Sequence, residues 1–525
     1  MSLRAQAEQR ETRDTMAVEK EMGATRSSFE PAGRKLEELL AGVDVVARTG
    51  DASREILGVA CHTQKVGGGA LFFALRGAKT DGNQFVPAAI ERGAVAISSE
   101  QPRPPGIPES IAWVQVRDGR KALAIVAANF YRQPVQALRL VAVTGTNGKT
   151  TTTHLLDSLI REAGHKTGLF GTIAYHTPRG DYPAPNTTPE SLDLQGFLAE
   201  IRDAGGKYVV LEASSHALSM DRLWGCHFDA AVFTNLTREH MDYHKTFDDY
   251  FAAKRRLFEG TGAGKPAFGI INTDDSYGRQ LTGLAEKTLT YGLQSAADIT
   301  TKKFQLSFSG LSFTAQTPAG KIEIESRLVG RINVYNILAA IGAALALEIP
   351  AEAIRSGVRK LESVRGRFER VDMGQPFLVV VDYAHTDDAI ENLVRTAREL
   401  APKGRVITLF GCGGEKDRTK RPVMGEVAGR LSDLVVVTSD NPRSEDPLTI
   451  ISDVVVGLQK SQGKYVIEPD RERAIGLALD EARAGDIVLL AGKGHENSQI
   501  LRDRTLPWDD AEKARQALRA KGFGS

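Results

Sequence analysis

The sequence predicts an α/β protein of three domains: a small mixed α/β N-terminal domain, a central P-loop ATPase-like domain on a parallel sheet, and a Rossmann-like C-terminal domain. Three observations carry this reading. The chain has 525 residues, which at roughly 150 residues per domain corresponds to three to four folding units. Its apolar segments are strand-length runs separated by helix-length ones, the βαβ rhythm that builds a parallel sheet. Three of the strand-like runs end directly in Gly-rich turns, where backbone N–H groups can receive anions.

Taken in order, residues 1–35 mix both charges and lack the apolar core of a secretory signal, so a disordered leader is expected, with Met16 or Met22 as alternative starts. Residues 36–138 form the first domain, with strands expected at 70–75, 93–97 and 111–116 and a Pro-rich break at 102–108. Residues 139–364 form the second. A strand at 140–143 runs into a Gly-rich turn and a helix over 151–163 that stops at Gly164, and further strands at 208–211, 230–233 and 268–271 each lead into polar loops. The apolar stretch 337–347 is too short to span a bilayer and reads as a buried helix. Residues 365–525 form the third, with strands at 377–381, 405–410, 434–438 and 486–490, two of them entering the turns Gly411-Cys412-Gly413-Gly414 and Gly492-Lys493-Gly494. The GxGxxG dinucleotide fingerprint is absent from this domain.

Composition narrows the function. With 67 Lys+Arg against 66 Asp+Glu the formal charge is +1, which argues against a nucleic-acid coat and a polybasic membrane binder. A 42% hydrophobic and 25% charged composition is that of ordinary folded domains. Cys61, Cys226 and Cys412 lie far apart without a CxxC pair, so neither a disulfide framework nor a Cys-rich zinc site is expected, and a reducing, cytoplasmic setting fits.

The chemistry concentrates in Thr144-Gly145-Thr146-Asn147-Gly148-Lys149-Thr150-Thr151. Between a strand and a helix, its glycines let backbone wrap phosphate oxygens, Lys149 places a positive charge at the β and γ phosphates, and Thr150 offers a hydroxyl to Mg²⁺. The spacing is not the strict GxxxxGK[ST], because Val143 stands where the first glycine belongs.

This string resembles the phosphate loop of the Mur ligase and folylpolyglutamate synthase superfamily, and similar motifs extend over roughly residues 36–520. The resemblance implies ATP held by Gly145, Thr146, Asn147, Gly148, Lys149, Thr150 and Thr151, with Asn333, Arg367, Asp382 and His385 completing the nucleotide site as the domains close. The bland alternative is that Asn333 and Asn336 cap a buried helix, a reading of equal weight for Asn336. The resemblance also implies Mg²⁺ held by Thr150, Glu212, His240 and Lys254, the last as a carbamate (N6-carboxylysine), with Lys149, His240 and Lys254 as catalytic residues. By spacing alone Lys254 would be a solvated helix lysine.

Asp440-Asn441-Pro442-Arg443 resembles the signature of the branch that adds meso-diaminopimelate, the MurE type; an arginine there can grip the amino acid's distal carboxylate. Lys416, Gly492 and Glu496 match further amino-acid-binding positions, Lys416 standing where arginine is usual. Asn186, Thr187, Thr188, Ser214, Met220 and Arg222, with Thr63 of the first domain, match the UDP-muramoyl-dipeptide site. Met220 stands for a glutamine found in some relatives and His62-Thr63-Gln64 for the usual Asp-Ser-Arg, while Arg365 and Asp387 each replace a proline. The implied activity is ATP-dependent joining of UDP-N-acetylmuramoyl-L-alanyl-D-glutamate to meso-diaminopimelate through an acyl phosphate, by a monomer with small-molecule partners only. The alternatives are a lysine-adding relative, a folylpolyglutamate synthase, or a P-loop ATPase switch that forms no bond; a strict Walker-A loop and a Walker-B strand, expected of the last, are missing.

Overall fold

The computed structural model describes residues 32–77, 80–241 and 243–524. Residues 1–31 of the expected 1–35 leader and the motif residues Ala78, Lys79 and Asp242 lie outside the described residues. Arg34–Lys35, at the end of that expected leader, pairs antiparallel with Glu55–Ile56.

The N-terminal unit carries a five-stranded sheet in the order Val45–Thr49, Ala112–Val116, Ala94–Ser99, Ala70–Ala74, Gly58–Ala60. All pairings are parallel except that of Val45–Thr49. Ala70–Ala74 is buried along its whole length, as a strand covered on both faces must be.

The central unit is built on eight strands in the order Gly180–Tyr182, Tyr175–Thr177, Thr167–Phe170, Tyr208–Glu212, Arg139–Thr144, Ala230–Phe233, Phe268–Asn272, Lys287–Tyr291. Six run parallel, and the hairpin Tyr175–Thr177/Gly180–Tyr182 closes one edge. Arg139–Thr144 comes first in the chain yet lies in the middle, so the strand order reverses on either side of it. Ligands of doubly wound sheets bind outside the carboxyl end at such a point.

Two elements depart from expectation. The helix after the phosphate loop is Lys149–Glu162, two residues earlier than its spacing suggests, because Gly148 at φ +88° starts it directly from the turn. Phe304–Ser307, Gly310–Thr317 and Gly320–Ser326 form an antiparallel three-stranded sheet that sequence reading missed. Helix Arg331–Ala346 is buried almost all round, as its apolar run requires. Its N-cap is Gly330, so the cap reading of Asn333 and Asn336 is corrected: both lie inside the helix.

The C-terminal sheet orders Glu369–Val371, Leu378–Asp382, Ile487–Ala491, Val406–Phe410, Leu434–Val437, Tyr465–Ile467, parallel except for Glu369–Val371. Apolar clusters cover both faces. No helix among the described residues is long and apolar enough to cross a membrane.

Candidate active site

The phosphate loop leaves the central strand at the reversal of strand order. Gly145 has φ +145°, and a Cβ there would lie 1.9 Å from the Thr234 hydroxyl; one on Gly148 would lie 2.5 Å from Asn336 Oδ1. Both glycines are therefore required by close approach as well as by torsion. The loop is braced by the segment after Ala230–Phe233: Thr146 N–H donates to Asn235 O (2.8 Å), Asn147 N–H to Asn235 Oδ1 (2.9 Å), and Thr234 Oγ1 to Asn147 O (2.7 Å). Lys149 Nζ folds back onto Thr146 O (2.7 Å) and Gly145 O (3.1 Å). Thr150 and Thr151 are buried in the first helical turn.

Lys254 is not solvated. Helix Phe247–Glu259 turns it inward with Tyr250, Leu257 and Phe258. The residue is 1% exposed, and its ammonium donates to Gly145 O at 2.8 Å and lies 4.5 Å from the Tyr250 ring. Burial and the nearby Lys149 charge push its pKa well below the ordinary lysine range, with Glu239 opposing.

Glu212, the last residue of its strand, is fully buried. Its carboxylate accepts from Thr172 N–H (3.0 Å) and Thr172 Oγ1 (3.2 Å), and among the described residues no ion pair neutralises it. A buried anion of this kind suits a hard divalent cation, for which the Thr150 hydroxyl is a second oxygen donor. His240, in a left-handed backbone conformation (φ 57°), packs edge-on against His216 and has Nε2 3.8 Å from Glu239 Oε2. As an ammonium Lys254 cannot bind a cation, whereas its carbamate could.

The C-terminal unit completes a pocket over the loop, lined by residues 146–151, Asn333, Asn336, Arg367, Phe368, Asp382 and Asn392. Arg367 reaches across to donate to Thr150 Oγ1 (3.2 Å) while lying 4.8 Å from the Tyr383 ring, and its Nε is buried without a partner. Asp382, the last residue of its strand, accepts from Phe368 N–H (2.7 Å) and Ala384 N–H (2.8 Å); burial raises its pKa, with Arg367 opposing. His385 Nδ1 donates to Tyr383 O (2.8 Å), and its Nε2 lies 3.9 Å from Glu239 Oε1; burial lowers its pKa. Because Nδ1 faces a carbonyl, its proton belongs there. Asn333 donates to Val329 O (2.7 Å) and accepts from Asn336 (2.9 Å). Asp388 adds a second bridge between the units, accepting from Thr237 Oγ1 (2.9 Å) and Asn147 Nδ2 (3.2 Å).

A second cluster gathers Asn186, Thr187, Thr188, Ser214, Met220 and Arg222. Thr187 Oγ1 meets Thr172 Oγ1 (3.2 Å), and Asn186 O accepts from Tyr175. Thr188 Oγ1 accepts from Ser214 N–H (3.1 Å), and Ser214 caps the helix Ser215–Ser219. Arg222 donates to Thr188 O (2.9 Å), pairs with Glu190 (2.6 Å) and lies 3.7 Å from Met220 Sδ. Thr63 starts the short turn Thr63–Lys65, which Lys65 ties to Asp193 at 3.4 Å, on the helix that follows Glu190.

The third cluster lies at the carboxyl ends of the C-terminal strands. Arg443, in a left-handed conformation (φ 54°), donates to Gly414 O (2.9 Å), and exposed Lys416 emerges from the same turn. Asp440, Asn441 and Pro442 are buried. A Cβ on Gly492 would lie 3.2 Å from Asp440 Oδ2, so glycine permits the two loops to meet. Glu496 Oε2 accepts from Asn441 Nδ2 at 2.8 Å. Asp440 Oδ1 is buried with no hydrogen-bond donor.

Sequence reading missed Glu239, Thr172, Asp388 and Lys493. Glu239 is a partly buried carboxylate whose pKa desolvation would raise but the charges of Lys149, His240, His385 and Lys254 lower; its one signal was adjacency to His240.

Three family models match the chain: "Mur ligase family, catalytic domain" over residues 55–131, "Mur ligase middle domain" over 143–344, and "Mur ligase, glutamate ligase domain" over 366–494. The chain is 51% identical over 473 residues, 90% of its length and 95% of the relative's, to the UDP-N-acetylmuramoyl-L-alanyl-D-glutamate–2,6-diaminopimelate ligase of Solibacter usitatus. It resembles a solved structure of a ligase of that same name with TM-score 0.66 and 33% identity, covering 94% of this chain and all of that one. A MurF ligase from Thermotoga maritima in complex with ADP shares the fold at TM-score 0.60 and 19% identity, covering 88% of this chain and 97% of that one.

Proposed function

The chain belongs to the Mur ligase family, and from that premise we propose that it joins meso-2,6-diaminopimelate to UDP-N-acetylmuramoyl-L-alanyl-D-glutamate at the expense of ATP, in peptidoglycan precursor synthesis. Residues 139–364 bind ATP, residues 36–138 with the Thr188–Arg222 cluster bind the nucleotide sugar, and residues 365–525 bind the amino acid. The observation that carries the reading is the buried Asp440 Oδ1, which receives no hydrogen bond, on the loop that also carries Arg443. A carboxylate and a guanidinium offered by one loop suit the ammonium and carboxylate of an amino-acid end, and a simple ATPase would not need them.

In this mechanism a γ-carboxylate oxygen of the substrate glutamate attacks the γ-phosphorus of ATP and ADP leaves. The diaminopimelate amine then attacks the acyl carbon, loses a proton, and phosphate departs. Lys149 and the loop N–H groups at 145–151 stabilise charge on the transferred phosphoryl group. Arg367, delivered from the C-terminal unit, adds its charge once that unit docks. Thr150, Glu212, His240 and the carbamate of Lys254 would hold Mg²⁺, which neutralises phosphate charge. Burial and the nearby Lys149 charge shift Lys254 toward the neutral amine, the form that reacts with CO₂, which supports the carbamate. Arg222 and Ser214 face the muramoyl dipeptide. Free Cys61, Cys226 and Cys412 support a cytoplasmic setting, and the enzyme works as a monomer.

The test is phosphate release with the muramoyl dipeptide and a panel of meso-diaminopimelate, lysine and ornithine. Release should require an acceptor and favour diaminopimelate. Lysine preference would place the chain in the lysine-adding branch, and release without any acceptor would make it a switch.

A further inference from the structure

The sequence GKGHE places a lysine between two glycines where nothing in the proposed chemistry calls for one. Lys493 is 0% exposed, yet it sits between the two substrate loops of the third cluster. Its ammonium donates to Asn441 Oδ1 (2.9 Å), Ser498 O (2.8 Å) and Glu496 Oε2 (3.2 Å), and lies 3.4 Å from Asp440 Oδ1. An ammonium has three N–H donors. All three are engaged by protein, so Lys493 has none left for a substrate.

The same contacts orient the groups around it. Asn441 Oδ1 also accepts from Ile500 N–H at 2.9 Å, which fixes its amide so that Nδ2 points at Glu496. Gln499 Nε2 holds Asp440 O at 3.0 Å. Asp440 Oδ1 lies 3.4 Å from the Lys493 ammonium without receiving a hydrogen bond, which leaves it a lone pair available. Without the lysine, two carboxylates and an amide oxygen would face one another uncompensated, and the loops 440–443 and 492–496 would separate.

We infer that Lys493 is a positioning residue of the amino-acid site, holding Asp440, Asn441 and Glu496 in the arrangement that receives the ammonium and carboxylate of the incoming amino acid. The inference rests on the reading of this cluster as the amino-acid site.

The test uses the full-length enzyme in the phosphate-release assay, with wild type, Lys493→Met, Lys493→Gln and Arg443→Ala, each substrate being varied in turn. For Lys493→Met the KM for diaminopimelate should rise at least about tenfold, with the KM for ATP and for the muramoyl dipeptide within about twofold and kcat at saturating amino acid within about threefold. Lys493→Gln, which keeps two donors without the charge, should fall between this and wild type. Equal rises in all three KM values, or an unchanged KM for diaminopimelate, overturn the proposal. If the methionine variant does not fold, the glutamine variant decides by the same criteria; failure of both to fold also overturns it, since it would make Lys493 a determinant of the fold. Arg443→Ala separates the two levels. A raised amino-acid KM in Arg443→Ala but not in Lys493→Met refutes the inference alone, and no effect in either refutes the placement of the site.

Discussion

Replacing Asp510 with alanine should loosen the C-terminal unit at its root. Arg471 and Asp510 have side chains 0% exposed and pair through two bonds, Nε to Oδ1 at 2.8 Å and Nη2 to Oδ2 at 2.6 Å. Trp508 Nε1 donates to the same Oδ1 at 2.8 Å. Removing the carboxylate strands a guanidinium and an indole N–H in a dry interior, at a cost of about 3–5 kcal/mol. With a urea slope of about 3 kcal/mol/M for a unit of roughly 150 residues, the midpoint should fall by about 1–1.7 M. The three tryptophans, Trp113, Trp224 and Trp508, fall one in each unit. A Trp113→Phe/Trp224→Phe background therefore makes fluorescence a reporter of the C-terminal unit alone. Burial would raise the Asp510 pKa, but the charge and bonds of Arg471 outweigh it and hold the carboxyl below its ordinary value. A lowered folded pKa contributes stability above the unfolded value of about 3.9, lost as pH falls through the folded one. The gap between wild type and variant should then stay constant from neutral pH to about 4 and narrow below it. A midpoint shift under about 0.3 M at neutral pH would refute the reasoning.

Other outcomes follow from the same geometry. Lys149→Ala should lower kcat by about 10²–10³-fold or more in the phosphate-release assay; ordinary turnover would dismiss the phosphoryl-transfer mechanism. Arg443→Ala should raise the KM for diaminopimelate about 10–100-fold, the worth of a charge-assisted contact of about 1.5–3 kcal/mol, and unchanged kinetics would remove the arginine from the site. Because burial depresses the Lys254 pKa, its amine should take up ¹³C-bicarbonate as a carbamate at neutral pH, where exposed lysines are protonated; the NMR signal should vanish in Lys254→Ala. Arg367→Ala should weaken turnover more than ADP binding in a fluorescent-nucleotide titration, since its Thr150 contact joins the two units.

Much of the site was legible because its chemistry is local. The phosphate loop announces itself through two glycines that no side chain could replace, and the strands feeding it are continuous apolar runs. The burial of Lys254 was also written in the sequence: Tyr250, Lys254, Leu257 and Phe258 recur at helical spacing on one face. A charged residue on an apolar stripe reads as solvated only if the stripe is overlooked. The 304–326 sheet was similarly visible in Ile322, Ile324 and Ser326, buried alternately along Gly320–Ser326. Pairs joined only by folding were not visible. Arg471 and Asp510 stand 39 residues apart, and Asp388 meets Asn147 only when two units dock. Nothing in the local pattern of either partner names the other.

The nucleotide pocket is shared between two units, and that division has a consequence for timing. Arg367 and Asp388 belong to the unit proposed to carry the amino acid, yet both touch the loops proposed to hold the triphosphate. On the proposed function, the movement that clasps the acceptor is then the same one that completes the grip on ATP.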